Sequence, residues 1–513
     1  MPTISGLLRS TARRVPETTA LKFGERTYTY AELDAEVDRV AHALSRLGLT
    51  KGDRFALMAN NSDHFVISFY AALRVGAVAL PINPASASPE LNYLLSDSGA
   101  TVLAFDPSLT STVSASSASG LPSTTRHLVC LGESPGYPSL YTLPSDTAEF
   151  SDVGEDLDLA LILYTSGTTG DPKGAMFDHR RSLWTTTALL AGVGYCADDR
   201  FLHVAPLYHA AQLCVMLIPA ITIGATNVLH TGFDPTAVLE TLESEKITVF
   251  FGVPTMFQFL LREPGLRERD LTGLRIGLFG AAPMPPSTVS ELTDLLPNAS
   301  LTHLCGQTEG GPGGIYCDNA QVRQRPEASG RQAIPFMECK VVDDAGREVE
   351  PGDVGEVVLR GESVTLGYWN KPEETARTLR DGWLHTGDLA RLDEDGYMTL
   401  VDRLKDMIIT GGRNVYSAEV EKALTGHPDI LECAVVGRPH PDYGESIVAV
   451  VTPRDNTEIT LASVRAYCAD HLARYKIPHA LMIGEIPRNP SGKALKHRLR
   501  DRVTKQAEGV VES

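Results

Sequence analysis

No two of the eight cysteines stand in a C-x-x-C pair. They are scattered at Cys130, Cys196, Cys214, Cys305, Cys317, Cys339, Cys433 and Cys468. That spacing gives no support to zinc binding or thioredoxin-type chemistry, and it suits a reducing cytoplasm. Positive charge is also short: 46 Lys and Arg stand against 64 Asp and Glu, a net −18. Nucleic acid is therefore excluded as a principal partner, and membrane contact is at most peripheral, since both surfaces call for a cationic face. No repeat on the scale of a solenoid unit occurs. The opening stretch MPTISGLLRSTARRVPETTA has no apolar core and no signal cleavage site, so a cytoplasmic protein is expected. The longest run without Asp, Glu, Lys or Arg, 201–233, holds His203, His209, His230, Tyr208, Gln212 and several prolines. It reads as core strand and helix rather than a membrane span.

With those classes set aside, 513 residues at 43% hydrophobic and 21% charged content leave an ordinary globular enzyme with room for two or more domains. In TYTYAELDAEVDRVAHALSRLGL the apolar residues Leu33, Val37, Val40, Ala41, Leu44 and Leu47 recur at helical spacing. RFALMA, AVALPIN, TVLAF, HLVCL, ITVFFGVP, RIGLFGA and LTHLCG read as strands between helices. This alternation predicts a layered α/β architecture with parallel strands. Residues 107–125, PSLTSTVSASSASGLPSTT, read as a low-complexity, exposed, mobile loop. The texture changes after 335, and a fresh α/β pattern starts at Leu404. The expected domains are a large α/β domain over 1–403 and a small α+β domain over 404–513.

The buried-strand pattern LALILY (159–164) runs straight into TSGTTGDPKG. Nothing in that stretch can pack a core. Gly167 and Gly170 open backbone shapes closed to other residues. Thr165, Ser166, Thr168 and Thr169 bring hydroxyls, and Lys173 a positive charge. Many donors, little bulk and one cation suit a polyphosphate; the plain alternative is an ordinary turn. The P-loop pattern does not fit, because Lys173 follows Gly170 by three residues and precedes Gly174. Five further stretches place polar or small residues where a core would want bulk. PLYHAA carries Tyr208 and His209, GLFGAAPM carries Gly280, Ala281 and Ala282, and CGQTEGG carries Thr308 and Glu309. GWLHTGDLA carries Asp388, and IPRNPSGKALK sets Lys493 in a Pro/Gly loop. Each alone also reads as packing, a cap, a turn or a solvated surface.

As an ordered set, YTSGTTGDPKG, GQTE, GWLHTGD, VDRLKDMIITGGRNVYSAEVE and PRNPSGK resemble the core motifs of the adenylate-forming superfamily. The resemblance covers essentially the whole chain and is strongest to bacterial fatty-acyl-CoA synthetases. It implies a large adenylation domain with a small mobile C-terminal domain. It also implies an ATP-dependent acid–CoA ligase with ATP, Mg²⁺ and coenzyme A. A carboxylate would attack the α-phosphate to give acyl-AMP and pyrophosphate; the CoA thiol would then displace AMP. On the matched positions, Thr165, Ser166, Gly167, Thr168, Thr169, Gly170 and Lys173 would hold phosphate. Thr308 would meet the α-phosphate, and Glu309 with Thr165 would hold Mg²⁺. Gly280, Ala281, Ala282, Cys305, Gly306 and Gln307 would flank nucleotide and acyl group, with His209 at the pocket. Asp388 and Arg403 would bind ribose, and Lys493 would bridge carboxylate and α-phosphate. Lys405 would be the hinge and Gly412 the mouth of the pantetheine tunnel. Cys305 departs from the family, which often has an aromatic there to stack on adenine. The expected pocket positions His209, Ala210, Ala211, Val215, Gly280, Gly306, Gly311, Gly313 and Ile315 are mostly small. Their smallness is expected to leave volume for a medium- to long-chain fatty acid. An aryl acid, or a carrier protein as the acceptor, stays open, and a monomer and a homo-oligomer both fit.

Overall fold

Short apolar runs closed by breakers become the strands of two large sheets. The computed structural model describes residues 2–165, 171–282, 284–454, 457–488, 494–505 and 510–512. Two compact units emerge. The first is Met1–Ser166, Pro172–Lys340 and Val358–His385; the second is chiefly Val341–Val357 and Thr386–Ser513.

In the first unit a six-stranded sheet runs in the order His127–Cys130, Val102–Phe105, Arg54–Met58, Val78–Ile82, Leu159–Thr165, Lys173–Asp178. Its strands are parallel except the last, which turns back antiparallel on Leu159–Thr165. Near-continuous apolar strands such as VALPI and VLAF are buried throughout, the signature of strands covered on both faces. A nine-stranded sheet has six parallel strands at its heart: Ser300–Gly306, Ile276–Gly280, Val249–Gly252, Arg200–His203, Thr226–Leu229 and Thr19–Phe23. Antiparallel strands finish both edges, an addition to the expected parallel pattern. The helix Tyr30–Arg46 buries Leu33, Val37, Val40, Ala41 and Leu44 of the predicted stripe, and Leu47 forms its C-cap, partly buried. A capping box starts it: Thr29 accepts from the Glu32 N–H, and Glu32 accepts the Thr29 N–H at 2.8 Å.

The charge-free run folds as core. Its π-helix Ala211–Leu217 passes directly into the α-helix Ile218–Ile223. Pro219 lacks an N–H and crowds the preceding turn, which fits the wider register just before it. Gln212, His203 and Asn227 form a fully buried polar chain beside it. Gln212 Nε2 lies 2.6 Å from His203 Nδ1, and His203 Nε2 lies 2.9 Å from Asn227 Oδ1. Asn227 Nδ2 donates to the carbonyls of Ala20 at 3.0 Å and Ala225 at 3.1 Å.

One expectation fails. Residues 107–125 are not simply a loop: Pro107–Leu109 is a 3₁₀ turn and Thr110–Ala118 an α-helix. Asp106 accepts the Ser108 N–H ahead of Pro107, a helix start written in the sequence. Val113 and Ser116 are buried, and Asn92 on the neighbouring helix donates to Ser119 Oγ at 2.9 Å. Among the described residues no helix is long and apolar enough to cross a membrane.

The second unit holds a six-stranded sheet: Arg413–Val415, Ile408–Thr410, Gly444–Pro453, Ala480–Ile483 and Val510–Glu512, with Ile430–His440 also on Gly444–Pro453. Ile408, Val420, Leu424, Val435, Ile447, Val464 and Leu481 pack between it and the helices Ser417–Thr425 and Leu461–Ala469. A five-stranded sheet follows Met337–Val342, Val354–Gly361, Trp383–Leu392 and Leu379–Arg380, with Met398–Arg403 added on Trp383–Leu392. The first three of these strands are each divided between the two units.

Candidate functional site

Thr165 and Lys173 meet because their strands pair antiparallel in the register Thr165↔Lys173. The strand Ser300–Gly306 brings up a third group. It exits through Gln307 into the 3₁₀ turn Thr308–Gly310, where Glu309 is only 8% exposed. Two hydroxyls fix that carboxylate. Tyr368 donates to Glu309 Oε1 at 2.8 Å, and Thr165 reaches the same oxygen at 3.4 Å. Burial, and then the charge of Glu309, push the Tyr368 phenol well up, so it stays a donor.

The segment 365–369 ties these pieces into one body. Thr365 N–H donates to the Glu309 carbonyl at 2.8 Å, and Trp369 N–H to the Gly174 carbonyl at 2.8 Å. Met176 N–H bonds the Gly367 carbonyl at 2.9 Å. Lys173 pairs with Glu374 on the helix Pro372–Thr378, and its ammonium lies 5.5 Å from the centre of the Tyr368 ring. The hydrogen bond from Lys173 holds the Glu374 carboxyl below its ordinary value. Tyr368 and Glu374 are missed by sequence reasoning. Their signal was GYWNKPEET, an aromatic pair ahead of a helix-starting proline, lying between two recognised motifs.

A second wall comes from the ends of Ile276–Gly280 and Ser300–Gly306. Ala281 adopts a left-handed backbone with φ +66, which costs an L-residue about 1–2 kcal/mol. Ala281 and Ala282 are exposed, so the small turn faces outward. Cys305 is half-buried opposite Ile315, and Gly306, Gln307 and Thr308 continue the same edge.

The reading of the small residues as open volume is overturned at three glycines. A methyl on Gly280 would overlap the Leu304 carbonyl of the paired strand. One on Gly306 would come within 2.6 Å of the Gly313 carbonyl, besides that of Pro312. One on Gly311, at φ +83, would overlap the Ser363 carbonyl, and Thr185 Oγ1 already bonds the Gly311 carbonyl. These glycines are small because main chain crosses over them.

His209 keeps exposed surface beside Tyr208. Crowding holds its imidazole below the ordinary value, and the Tyr208 ring lies 4.5 Å away. At neutral pH it is therefore an uncharged ring, a donor or acceptor rather than an anion ligand.

In the second unit Asp388 and Arg403 are paired across neighbouring strands, with an ion pair of 2.9 Å. The Lys405 carbonyl accepts from Arg500 at 3.0 Å. Gly412 has φ +74, and a methyl there would meet nothing within 4 Å. Ser166, Gly167, Thr168, Thr169, Gly170 and Lys493 lie outside the described residues.

The donors fit Mg²⁺. Glu309 and the Thr165 hydroxyl are hard oxygens, and this ion is usually held by one or two carboxylates with water and substrate phosphates. No cluster of three or more His, Cys, Asp or Glu suited to an all-protein metal cage occurs among the described residues.

Known proteins align with this arrangement. Residues 8–369 match the AMP-binding enzyme family, and residues 419–493 match the AMP-binding enzyme C-terminal domain. The chain is 40% identical over 492 residues to a feruloyl-CoA synthase of Amycolatopsis sp, covering 96% of this chain and 97% of that protein. It is 35% identical over 478 residues to a long-chain-fatty-acid–CoA ligase of Mycobacterium tuberculosis, covering 92% of each. Among solved structures, an anthranilate CoA ligase in complex with anthranoyl-AMP superposes with a TM-score of 0.87 at 28% identity, over 98% of both chains.

Proposed function

Because the chain belongs to the AMP-binding enzyme family, and is an AMP-forming acid–CoA ligase, we propose that its acid is an aryl-propenoic acid of the ferulate class. The observation that carries this reading is the 40% identity, spanning 96% of the chain, to a feruloyl-CoA synthase. The filled glycines support it, since they remove one argument for a wide chamber. The second reading is a medium- to long-chain fatty acid, favoured by the 35% identity to a long-chain ligase.

Both readings share one mechanism. Lys173 neutralises phosphate charge beside Glu309, and Thr308 hydrogen-bonds the α-phosphate. Mg²⁺, held by Glu309 and the Thr165 hydroxyl with phosphate oxygens, would stabilise the charge that builds on those oxygens. Gly280, Ala281, Ala282, Cys305, Gly306 and Gln307 flank the adenosine and acyl groups, with neutral His209 beside the acid. Asp388 and Arg403 bind the ribose hydroxyls. Residues 404–513 move about Lys405, which brings Lys493 to the carboxylate in the first step and opens the CoA path at Gly412 in the second.

A pyrophosphate-release panel tests the substrate. Ferulate, benzoate, octanoate, palmitate and acetate are assayed with no thiol, with CoA and with a phosphopantetheinylated carrier. Ferulate with CoA should lead; a peak at octanoate or palmitate transfers the assignment to the second reading, and acetate in front defeats both. Lys493→Ala tests the step assignment. Adenylation should slow about 10²–10³-fold, the scale for one electrostatic group at a reacting centre. Thioester formation from supplied acyl-AMP should persist, and equal loss in both halves would show that Lys493 is not specific to adenylation.

A further inference from the structure

Lys173 meets the carboxylate of Glu374, and the two oxygens of that carboxylate face different cations. Oε2 faces Lys173, while Oε1 accepts from Arg377 Nη1 at 3.1 Å. The Lys173 and Glu374 side chains are 21% and 32% exposed, so water screens them only in part; Arg377, at 71%, is largely solvated. The Lys173 ammonium also lies against Tyr368, whose hydroxyl holds Glu309. A phosphate drawn to Lys173 would therefore come close to the Glu374 carboxylate, and like charges at that range repel.

We infer that Glu374 is a positioning residue for nucleotide binding, acting through Lys173. Its carboxylate competes with phosphate for the ammonium, and Arg377, already bonded to Oε1, keeps that carboxylate when phosphate wins. The inference rests on the reading of Lys173 as a phosphate ligand. No bond is made or broken; one ion pair exchanges for another. Glu374 keeps Lys173 extended beside Tyr368 and lowers nucleotide affinity by the strength of a partly exposed ion pair.

The test is calorimetric titration of ATP, pyrophosphate and AMP into the full-length enzyme and its variants, with steady-state kinetics in parallel. Glu374→Gln should tighten ATP and pyrophosphate about threefold to fivefold, the range of a partly exposed pair, and lower KM for ATP with kcat unchanged. AMP, which has no β- or γ-phosphate, should bind as before. Glu373→Gln, at a neighbouring side chain 86% exposed, should change nothing. Lys173→Ala should weaken ATP, and Glu374→Gln in that background should then give no gain. Unchanged or weaker ATP binding in Glu374→Gln overturns the inference, as does equal tightening by Glu373→Gln or in the Lys173→Ala background. If Lys173→Ala itself leaves ATP affinity intact, the phosphate reading of Lys173 falls, and this inference with it.

Discussion

Acidification from pH 6.5 towards 4 should cost the first unit several kcal/mol of stability. His179, His203 and His303 are all pushed down to about 4, chiefly by burial. Nearby Asp152, Asp158 and Asp178 pull His179 upward, but desolvation outweighs them. The sign follows from proton counting. Unfolded imidazoles take protons near their model value of 6.5, while the folded ones refuse until about 4. Between those values the unfolded chain binds more protons, so stability is intact above 6.5 and drains away as pH falls. Each ring is worth about 3 kcal/mol at the bottom of the window, against about 5–15 kcal/mol for a whole domain. All three tryptophans, Trp184, Trp369 and Trp383, lie in the first unit, so their fluorescence reports its unfolding. The melting temperature should fall steeply across this window. His303→Asn should lower stability at neutral pH but flatten the slope by about one proton. A melting temperature flat from 6.5 to 4.5 would mean these rings titrate normally.

Gly311→Ala should be the most damaging one-carbon addition near Glu309. It forces an L-residue to φ +83 and drives a methyl into the Ser363 carbonyl. Gly194 in the same unit has φ +78 and nothing within 4 Å, so Gly194→Ala isolates the backbone term alone. That term is about 1–2 kcal/mol. Gly311→Ala should cost about 4 kcal/mol or more, with adenylation lost because Glu309 stands two residues away. Denaturant midpoints of both variants, with pyrophosphate release, decide it. Equal midpoints would mean that the crossing at Ser363 relaxes freely.

The contrast between those two glycines also explains what a sequence can disclose. It shows that position 311 is small, but not whether ligand or main chain lies opposite. That Thr165 and Lys173 belong to one polar stretch after the strand LALILY was legible, but their pairing across two antiparallel strands was not, since KGAMFD carries no such mark by itself. Glu309 at a strand exit was legible, because the strand LTHL runs straight into the glycine-rich CGQTEGG. Tyr368 and Glu374 were not, since their importance arises only when 365–369 is laid beside Gly174, Met176 and Glu309. The helix Thr110–Ala118 hid behind its own serines and threonines, which lower helical propensity; Asp106–Pro107 and the buried Val113 were its real markers. The partnership of Asp388 with Arg403 came through family resemblance alone, because strand register between separate motifs is not written in either motif.

The buried chain through His203 has a direction. The carbonyls of Ala20 and Ala225 cannot donate, so the Asn227 amide must point its hydrogens at them and its oxygen at the ring. His203 Nε2 then carries the hydrogen, and a neutral ring leaves Nδ1 as an acceptor that only the Gln212 amide can serve. Two main-chain oxygens thus select one tautomer two residues upstream in the relay. Every link has the same polarity: reversing the Gln212 link alone would need a second proton on the ring, and reversing the Asn227 link alone would leave it with none, on a ring that is sealed from water.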